Sequence, residues 1–153
     1  MTMKRARYQE GLNDFEYCVS LHVQHPNIDP QRVTEALGIM PDRTIRVGDP
    51  RRNPLNGTHN TSHWSATLNV IDKASLGDSL VALVEKFRPA GDFLRQLVAE
   101  GGRIELFFGL FATELCDSLL PYEVLSELAD LRIDLRLDYY PKEQAAIPEP
   151  ESV

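Results

Sequence analysis

Four segments of the chain alternate apolar and polar residues with a period of two, which is typical of strands with one buried face. The first runs from Phe15 to Val23. The others cover about Trp64–Ile71, Arg103–Ala112 and Ile133–Tyr140. We therefore predict four β-strands, each with an apolar side that needs cover.

Segments with helical spacing of apolar residues lie between these strands. After the first strand, Asp29 can cap a helix, Pro30 fits its first turn, and Gly38 can end it in the left-handed conformation. Further helices are predicted over about Leu76–Phe87 and Phe93–Ala99, and from Pro121 onward. In the last helix we expect three residues to face inward: Leu125, Leu128 and Ala129.

The predicted order is β-α-β-α-α-β-α-β, which indicates the α+β class. We expect a four-stranded, mainly antiparallel sheet with helices on one face, ferredoxin-like with an inserted helical connection. A single α+β domain is predicted over residues 14–140. Residues 1–13 and 141–153 are predicted to be flexible tails, since the second contains three prolines and few apolar groups.

The third strand carries Phe107 and Phe111 on the side where the other strands are polar. One interpretation is a central strand partly covered by a loop. The other is an apolar patch on an open sheet face, which would favour dimerisation or ligand binding.

Charge limits the class of partner. The formal net charge is −7, which argues against nucleic acid. Residues 100–153 hold 4 Lys/Arg and 12 Asp/Glu, a net of −8, so the rest of the chain is nearly neutral. This third of the chain is either a solvated acidic surface with an acidic tail or an acidic face for a basic partner.

The compartment can also be inferred from the sequence. The most apolar run, Leu106 to Ala112, is far shorter than the roughly 20 residues that span a bilayer, so no membrane association is expected. Cys18 and Cys116 are too few for a disulfide scaffold and are interpreted as reduced thiols. We therefore expect a cytoplasmic protein.

The segment 39–63 has no periodicity, and structureless loops longer than about 15 residues are usually functional or mobile. Its candidate ligand- or partner-binding residues, with the tryptophan that follows, are Arg43, Arg46, Arg51, Arg52, His59, His63 and Trp64. Arginine matches phosphate and carboxylate geometry, and an indole can stack on a ring or a cation. The alternatives are that the arginines pair with the acidic C-terminal third and that Trp64 belongs to the core.

No sequence pattern indicates a catalytic or cofactor site, and we expect no catalytic residues, no cofactor and no metal. His59 and His63 have metal-ligand spacing only on a helix, whereas the surrounding Asn-Gly-Thr and Asn-Thr-Ser are turn-like. Cys18 and His22 share a strand face but lie about 13 Å apart along it, too far for a thiol–imidazole pair.

Two stretches together resemble an uncharacterised bacterial family known only as a domain of unknown function, the DUF4279 group. The first is Leu-Gly-x-x-Pro-Asp at residues 37–42, followed by Gly48 and Trp64. The second covers residues 125–135, where Arg132 stands at a position expected to be glycine. The resemblance extends over about residues 15–140 and implies the fold and a bacterial, cytoplasmic setting. It implies no activity and no catalytic residues.

The leading hypothesis is a non-enzymatic binding or protein-interaction module that uses the charged 39–63 loop. Its partner would be a protein or a small anion, and a homodimer is a further hypothesis. An immunity-type protein that neutralises a toxin would fit a small acidic domain. The alternative is a small enzyme on an anionic substrate, with Arg43, Arg46 or Arg51 for binding and His59 or His63 as acid/base.

Overall fold

The computed structural model describes residues 15–52, 57–69, 75–112 and 116–141. Within these ranges there are five strands: β1 Glu16–His25, β2 Arg43–Ile45, β3 Ser62–Leu68, β4 Arg103–Ala112 and β5 Ile133–Pro141. The same residues contain four α-helices: α1 Pro30–Leu37, α2 Leu76–Phe87, α3 Gly91–Ala99 and α4 Tyr122–Asp130. A 3₁₀ turn, Arg88–Ala90, joins α2 to α3. The predicted tails lie outside the described residues, except Pro141, which ends β5.

The strands form one sheet in the order β2-β3-β1-β4-β5. β1 pairs antiparallel with both β3 and β4, β2 pairs antiparallel with β3, and β4 pairs parallel with β5. The α+β class is as predicted, but the sheet has five strands and is mixed. The ferredoxin-like arrangement is wrong in detail, because that fold separates the two parallel strands of a β-α-β unit. Here β4 and β5 are direct neighbours.

The short strand β2 explains the error in strand number. Three residues are too few to show an alternating pattern, so β2 is found only through its pairing of Thr44 with Trp64. The order was not predictable either, because the same apolar strand faces are compatible with several neighbours.

One face of the sheet is covered by the helices and forms the core. Apolar residues of the three inner strands alternate onto this face and pack against α2, α3 and α4. The strand residues in this layer are Val19, Leu21, Val23, Trp64, Ala66, Leu68, Ile104, Leu106 and Phe108. The helices contribute Leu80, Val84, Phe87, Leu94, Leu97, Val124 and Leu128, among others. The prediction of helices on one face agrees with this arrangement.

The helix ends follow the predicted local chemistry. Asp29 Oδ1 accepts a hydrogen bond from the Gln31 amide at 3.0 Å and caps α1, and Gly38 ends the helix with φ 66°. Ser75 caps α2 by accepting from the Asp78 amide at 3.1 Å. These caps use backbone groups that would otherwise lack partners.

In α4 the predicted inward set is wrong in part. Val124 and Leu128 are buried, whereas Leu125 is 41% exposed and Ala129 is also exposed. The helix has only nine residues, and a single i, i+4 stripe meets the core. The predicted stripe was therefore too wide.

The described parts of segment 39–63, residues 39–52 and 57–63, run antiparallel to each other at the edge of the sheet and are not the structureless loop that was predicted. Beyond β2, the Gly48 amide donates to the His59 carbonyl and the His59 amide donates to the Asp49 carbonyl, both at 2.8 Å. Pro50 and Thr58 form an isolated bridge farther out. The segment remains at the surface, where its side chains can meet a partner.

Candidate functional site

The second face of the sheet has no described helix over it, and we call it the open face. Strand register assigns its side chains, because directly opposite residues point to the same side. One row across the sheet is Arg43, Ser65, His22, Glu105 and Asp134. The next row is Ile45, His63, Gln24 and Arg103. Polar residues of five strands therefore lie on one continuous surface.

These two rows form the floor of a groove of about 550 Å³ that is partly open to solvent. Arg136 of β5 and His59, from the excursion beyond β2, also line it. The lining includes three histidines, three arginines and two carboxylates. The groove is the most concentrated set of ionisable side chains on the open face.

At one end of the groove, three side chains form what we call the Arg43 corner: Arg43, His59 and His63. The rings of His59 and His63 have centroids 6.4 Å apart. Arg43 and His63 are diagonal neighbours on paired strands, which places them about 7–8 Å apart. The backbone of Arg43 is paired in the sheet, but among the described residues its side chain has no hydrogen-bond or ion-pair partner.

His63 is mainly neutral near pH 7. Partial burial, with the positive charge of neighbouring His59 and Arg43, holds the pKa of His63 below its ordinary 6.5. Its Nε2 lies 2.9 Å from Thr61 Oγ1, a contact in which either atom can be the donor. His63 can therefore donate to or accept from a ligand, and it can also take up a proton.

On the other side of the groove the charges compensate each other. Arg136 Nε donates to Glu105 Oε1 at 2.7 Å, and Arg103 Nη2 lies 3.7 Å from Asp134 Oδ2. Because the opposite charges of these two ion pairs cancel, the positive charge of Arg43 is uncompensated. The groove is consequently positive at the Arg43 corner, although the whole protein is acidic.

The far end of the open face is aromatic, and we call Phe107, Phe111 and Tyr140 the aromatic end. The rings of Phe111 and Tyr140 are stacked, with centroids 5.3 Å apart and an interplanar angle of 17°. Gly109 lies between them and Phe107, and a Cβ on it would be 2.9 Å from Cys18 Sγ. The missing side chain lets Cys18 and the surrounding rings lie close to the strand.

The comparison with known families agrees with the resemblance seen in the sequence. Residues 15–142 match the family described as Domain of unknown function (DUF4279). The chain belongs to the DUF4279 family. The match includes all five described strands in full, and thus both the groove and the aromatic end. No curated protein and no solved structure gives a significant match to this DUF4279 chain.

The predicted binding residues of the DUF4279 chain are divided by the structure. Arg43, His59 and His63 come together at the groove. Arg46 instead pairs with Asp29 at 2.8 Å, and Arg51 Nη2 approaches Asn60 Oδ1 at 3.4 Å. Arg52 is exposed and does not line the groove. No arginine of the described part of segment 39–63 pairs with a described acid of the C-terminal third.

Trp64 belongs to the core and is not a stacking surface. It is 1% exposed, lies on the covered face of β3, and donates from Nε1 to Thr34 Oγ1 at 3.0 Å. Its neighbour His63 points to the opposite side of the strand, as the alternation of a strand requires. The core alternative considered for Trp64 from the sequence is the one observed.

Several groove residues were missed from the sequence. His22, Glu105, Arg136 and Arg103 lie on β1, β4 and β5, far from segment 39–63 in the chain. Their signal was the polar half of each alternating pattern. That signal shows only which residues share a strand face, so the pairing of strands was needed to bring them together.

The chemical groups that this surface presents are charged and hydrogen-bonding side chains. Within the described ranges, no three His, Cys, Asp or Glu residues are grouped so as to hold a metal ion, and Cys18 and Cys116 are free thiols. His22 Nε2 lies 2.8 Å from Ser20 Oγ, and His63 Nε2 lies 2.9 Å from Thr61 Oγ1. Both of these histidines are therefore oriented by a hydroxyl and not by a carboxylate. In the described part of the chain, no helix is long and apolar enough to cross a bilayer.

Proposed function

We propose that this DUF4279 protein is a non-enzymatic binding module whose open face receives an extended acidic segment of a protein partner. The observation that carries the proposal is Arg43, an arginine without a partner in the described structure, at the positive end of an uncovered polar groove. Neutralisation of a toxin by an immunity-type protein is one setting in which such a module would act.

The Arg43 corner fits a carboxylate or a phosphate. A guanidinium can donate two parallel hydrogen bonds to either group, and such charge-assisted bonds are about twice as strong as neutral ones. His59 and His63 add donors on the same side of the groove. The carboxylates Glu105 and Asp134 are already paired with arginines and so repel an anion less than free carboxylates would.

The shape of the groove favours a protein partner over a small ligand. Small-molecule sites bury about 70–90% of their ligand, whereas this groove is only about half enclosed. A protein partner would close the groove with its own surface. The ion pairs Arg136–Glu105 and Arg103–Asp134 would then determine the orientation of the partner more than the affinity for it.

The distance to the aromatic end suggests the length of the bound segment. Arg43 and Phe107 are separated by three strand spacings, about 14 Å, and by two residues along the strands, about 7 Å, which together give about 16 Å. An extended segment of about five residues covers that distance. We therefore expect an acidic side chain near Arg43 and a large apolar side chain near Phe107.

Selection of random peptides displayed on phage tests this proposal. The wild type is the bait, and the Arg43→Ser variant is used for counter-selection. We expect enriched peptides with an acidic residue four or so positions from a large apolar one. Arg43→Ser should weaken a selected peptide by about tenfold or more, the effect of one lost charge-assisted hydrogen bond of about 1.5–3 kcal/mol.

Arg52→Ser is the matched control, because it removes the same charge from an exposed position outside the groove. It should leave peptide affinity nearly unchanged. Enrichment of peptides without acidic residues, or equal losses from the Arg43 and Arg52 variants, would refute the proposal.

A titration with inorganic phosphate, followed by NMR, separates a small-anion site from a peptide site. Tight binding of phosphate alone, lost in Arg43→Ser, would replace the protein partner by a small anion. Weak binding of phosphate, with tight binding of the selected peptide, would support the protein partner.

The enzyme hypothesis retains one supporting observation, since Arg43, His59 and His63 meet while Arg46 and Arg51 lie elsewhere. A neutral His63 could act as a general base on an anionic substrate. Replacing His59 and His63 by alanine distinguishes the two functions. Loss of turnover on a phosphorylated or carboxylated substrate would establish catalysis, whereas a module should only bind its peptide less tightly.

A further inference from the structure

The outer edge of β5 is a long strand edge that the described structure leaves unpaired. β5 pairs only with β4 among the described strands and has nine residues, whereas β2 at the opposite edge has three. Long edges carry free backbone donors and acceptors, and proteins usually shorten, twist or cover them. No described element covers the β5 edge, and its protecting groups are its charged residues and the terminal Pro141.

Apolar side chains accompany this edge on both of its faces. Leu137 is 47% exposed, Tyr139 is 56% exposed and Tyr140 is 45% exposed. Leu137 and Tyr139 lie on the side of the helices, beyond the cover of α4, and Tyr140 lies on the open face. A strand edge with exposed apolar groups is the signature of a surface that pairs with another strand.

We propose that β5 pairs antiparallel with β5 of a second copy of this chain, with the two-fold axis at Leu137, so that the two sheets become one. A two-fold axis makes the contact self-complementary, as in most homodimers. Because the axis is perpendicular to the sheet, the covered faces of both copies lie on one side and the open faces on the other.

The charges of β5 favour this register. With Leu137 opposite its own copy, Arg136 of each strand lies opposite Asp138 of the other, which forms two identical ion pairs. Arg136 uses Nε for Glu105, and its guanidinium has further donors. Asp138 interacts with the charge of Arg136 on its own strand but accepts no hydrogen bond from a described side chain, so its carboxylate can accept from the second copy.

The same register suits the apolar groups and the strand length. Leu137 meets its own copy, and Leu135 lies opposite Tyr139 on the side of the helices. Leu137 is the middle residue of Ile133–Pro141, so the whole strand is paired. These contacts cover the exposed residues named above.

Neighbouring registers are less favourable. An axis at Arg136 places two arginines opposite each other and Asp134 opposite Asp138, which are like charges. An axis at Asp138 places two aspartates opposite each other. An axis at Leu135 restores opposite charges but leaves Tyr139 and Tyr140 unpaired. A pairing shifted by one residue, with Leu137 opposite Asp138, would make the open face of one copy continuous with the covered face of the other.

Sedimentation velocity of the full chain over a series of concentrations, from low to several hundred micromolar, tests the proposal. We expect a reversible dimer in the wild type. Asp138→Arg should lower the association constant by about tenfold or more, since it creates two like-charge contacts. The control Asp134→Arg places its new charge opposite Tyr140 and should have a smaller effect. A monomer at every concentration, or a dimer indifferent to Asp138→Arg, would overturn the proposal.

Mixing two variants checks the register directly. Arg136→Asp alone and Asp138→Arg alone should both be mainly monomeric. Together they should form a mixed dimer, because each strand then meets the opposite charge at both positions. Circular dichroism of each variant verifies that it is folded before mixing. Absence of a mixed dimer from two folded variants would contradict this register.

A cysteine at the axis gives a second test that does not depend on charge. In a chain with Cys18→Ser and Cys116→Ser, the variant Leu137→Cys places two thiols directly opposite each other. Their Cα atoms would be about 4.5–5.5 Å apart, within the range of a disulfide. Oxidation should link the copies. The control Leu135→Cys separates the thiols by about 13 Å and should not link them. Equal linkage of both variants, or of neither, would refute the axis at Leu137.

Discussion

Replacement of His25 should show how the end of β1 is joined to α1. His25 is 3% exposed, and its Nδ1 accepts hydrogen bonds from the amides of Asn27 at 3.1 Å and Ile28 at 2.9 Å. An acceptor of two N–H groups carries no proton, so the ring proton is on Nε2. That proton is donated to Glu100 at 3.2 Å. One ring thus supports the turn after β1 and fastens it to the end of α3.

Two substitutions separate the contribution of the hydrogen bonds from that of packing. His25→Leu keeps a similar volume but leaves the Ile28 amide buried without an acceptor, and it weakens the bonding of the Asn27 amide. A buried unsatisfied donor costs about 1–3 kcal/mol, so we expect a loss of about 2–4 kcal/mol in the free energy of unfolding. His25→Asn keeps an acceptor at the position of Nδ1, as in an Asx-turn, and should lose only about 1–2 kcal/mol through poorer packing.

Urea unfolding followed by circular dichroism measures both values, provided that the slopes agree with that of the wild type. For a chain of this size, the leucine variant should melt roughly 5–15 °C lower. Glu100→Gln is the control, because its side-chain oxygen still accepts from Nε2 and stability should change little. A leucine variant as stable as the wild type, or an asparagine variant less stable than the leucine variant, would refute the hydrogen-bond argument.

Three other predictions follow from the same structure. Arg132 has φ 62°, a left-handed conformation, so Arg132→Gly should be more stable than Arg132→Ala by about 1 kcal/mol in thermal unfolding. The pKa of His63 in the folded protein lies below 6.5, because the fold favours the neutral ring. The stabilisation of the folded state by neutral His63 is therefore complete above pH 6.5 and is lost as the pH falls through the pKa of the folded protein. Over the same interval, protonation of His63 beside Arg43 should increase affinity for the acidic peptide, and a pH series with His63→Gln should be flat. Hydrogen bonds from Thr67 hold the pKa of Asp42 below its ordinary 3.8. The stabilisation by the Asp42 carboxylate is therefore present above pH 3.8 and is lost in stronger acid. Asp42→Asn should weaken the pH dependence of stability measured by acid unfolding.

Local patterns predicted the long elements well. β4 and α2 have the bounds expected from the sequence, Arg103–Ala112 and Leu76–Phe87. Both segments have unbroken periodicity and clear end signals, which are short-range properties of the chain. At Arg132 the family resemblance, and not a local pattern, led us to expect a glycine, and the backbone there has the left-handed conformation that glycine favours.

The candidate site was predictable only in part. Arg43, His59 and His63 could be selected because they lie in one charged segment without periodicity. Their separation from Arg46, which pairs with Asp29 at the start of α1, depends on how the edge of the sheet folds back on the helix. No sequence pattern states which of several arginines will find an acid.

The sequence alone determined the alternating strands, the capped helices, and the presence of one apolar and one polar face on each strand. These depend on side-chain order and on hydrogen bonds between near neighbours. Only the tertiary structure decided that β1 lies between β3 and β4, and hence that His22, His63 and Glu105 share a groove. Alternation sets the direction of each side chain, whereas strand pairing over long separations sets its neighbours, and several pairings would bury the same apolar faces.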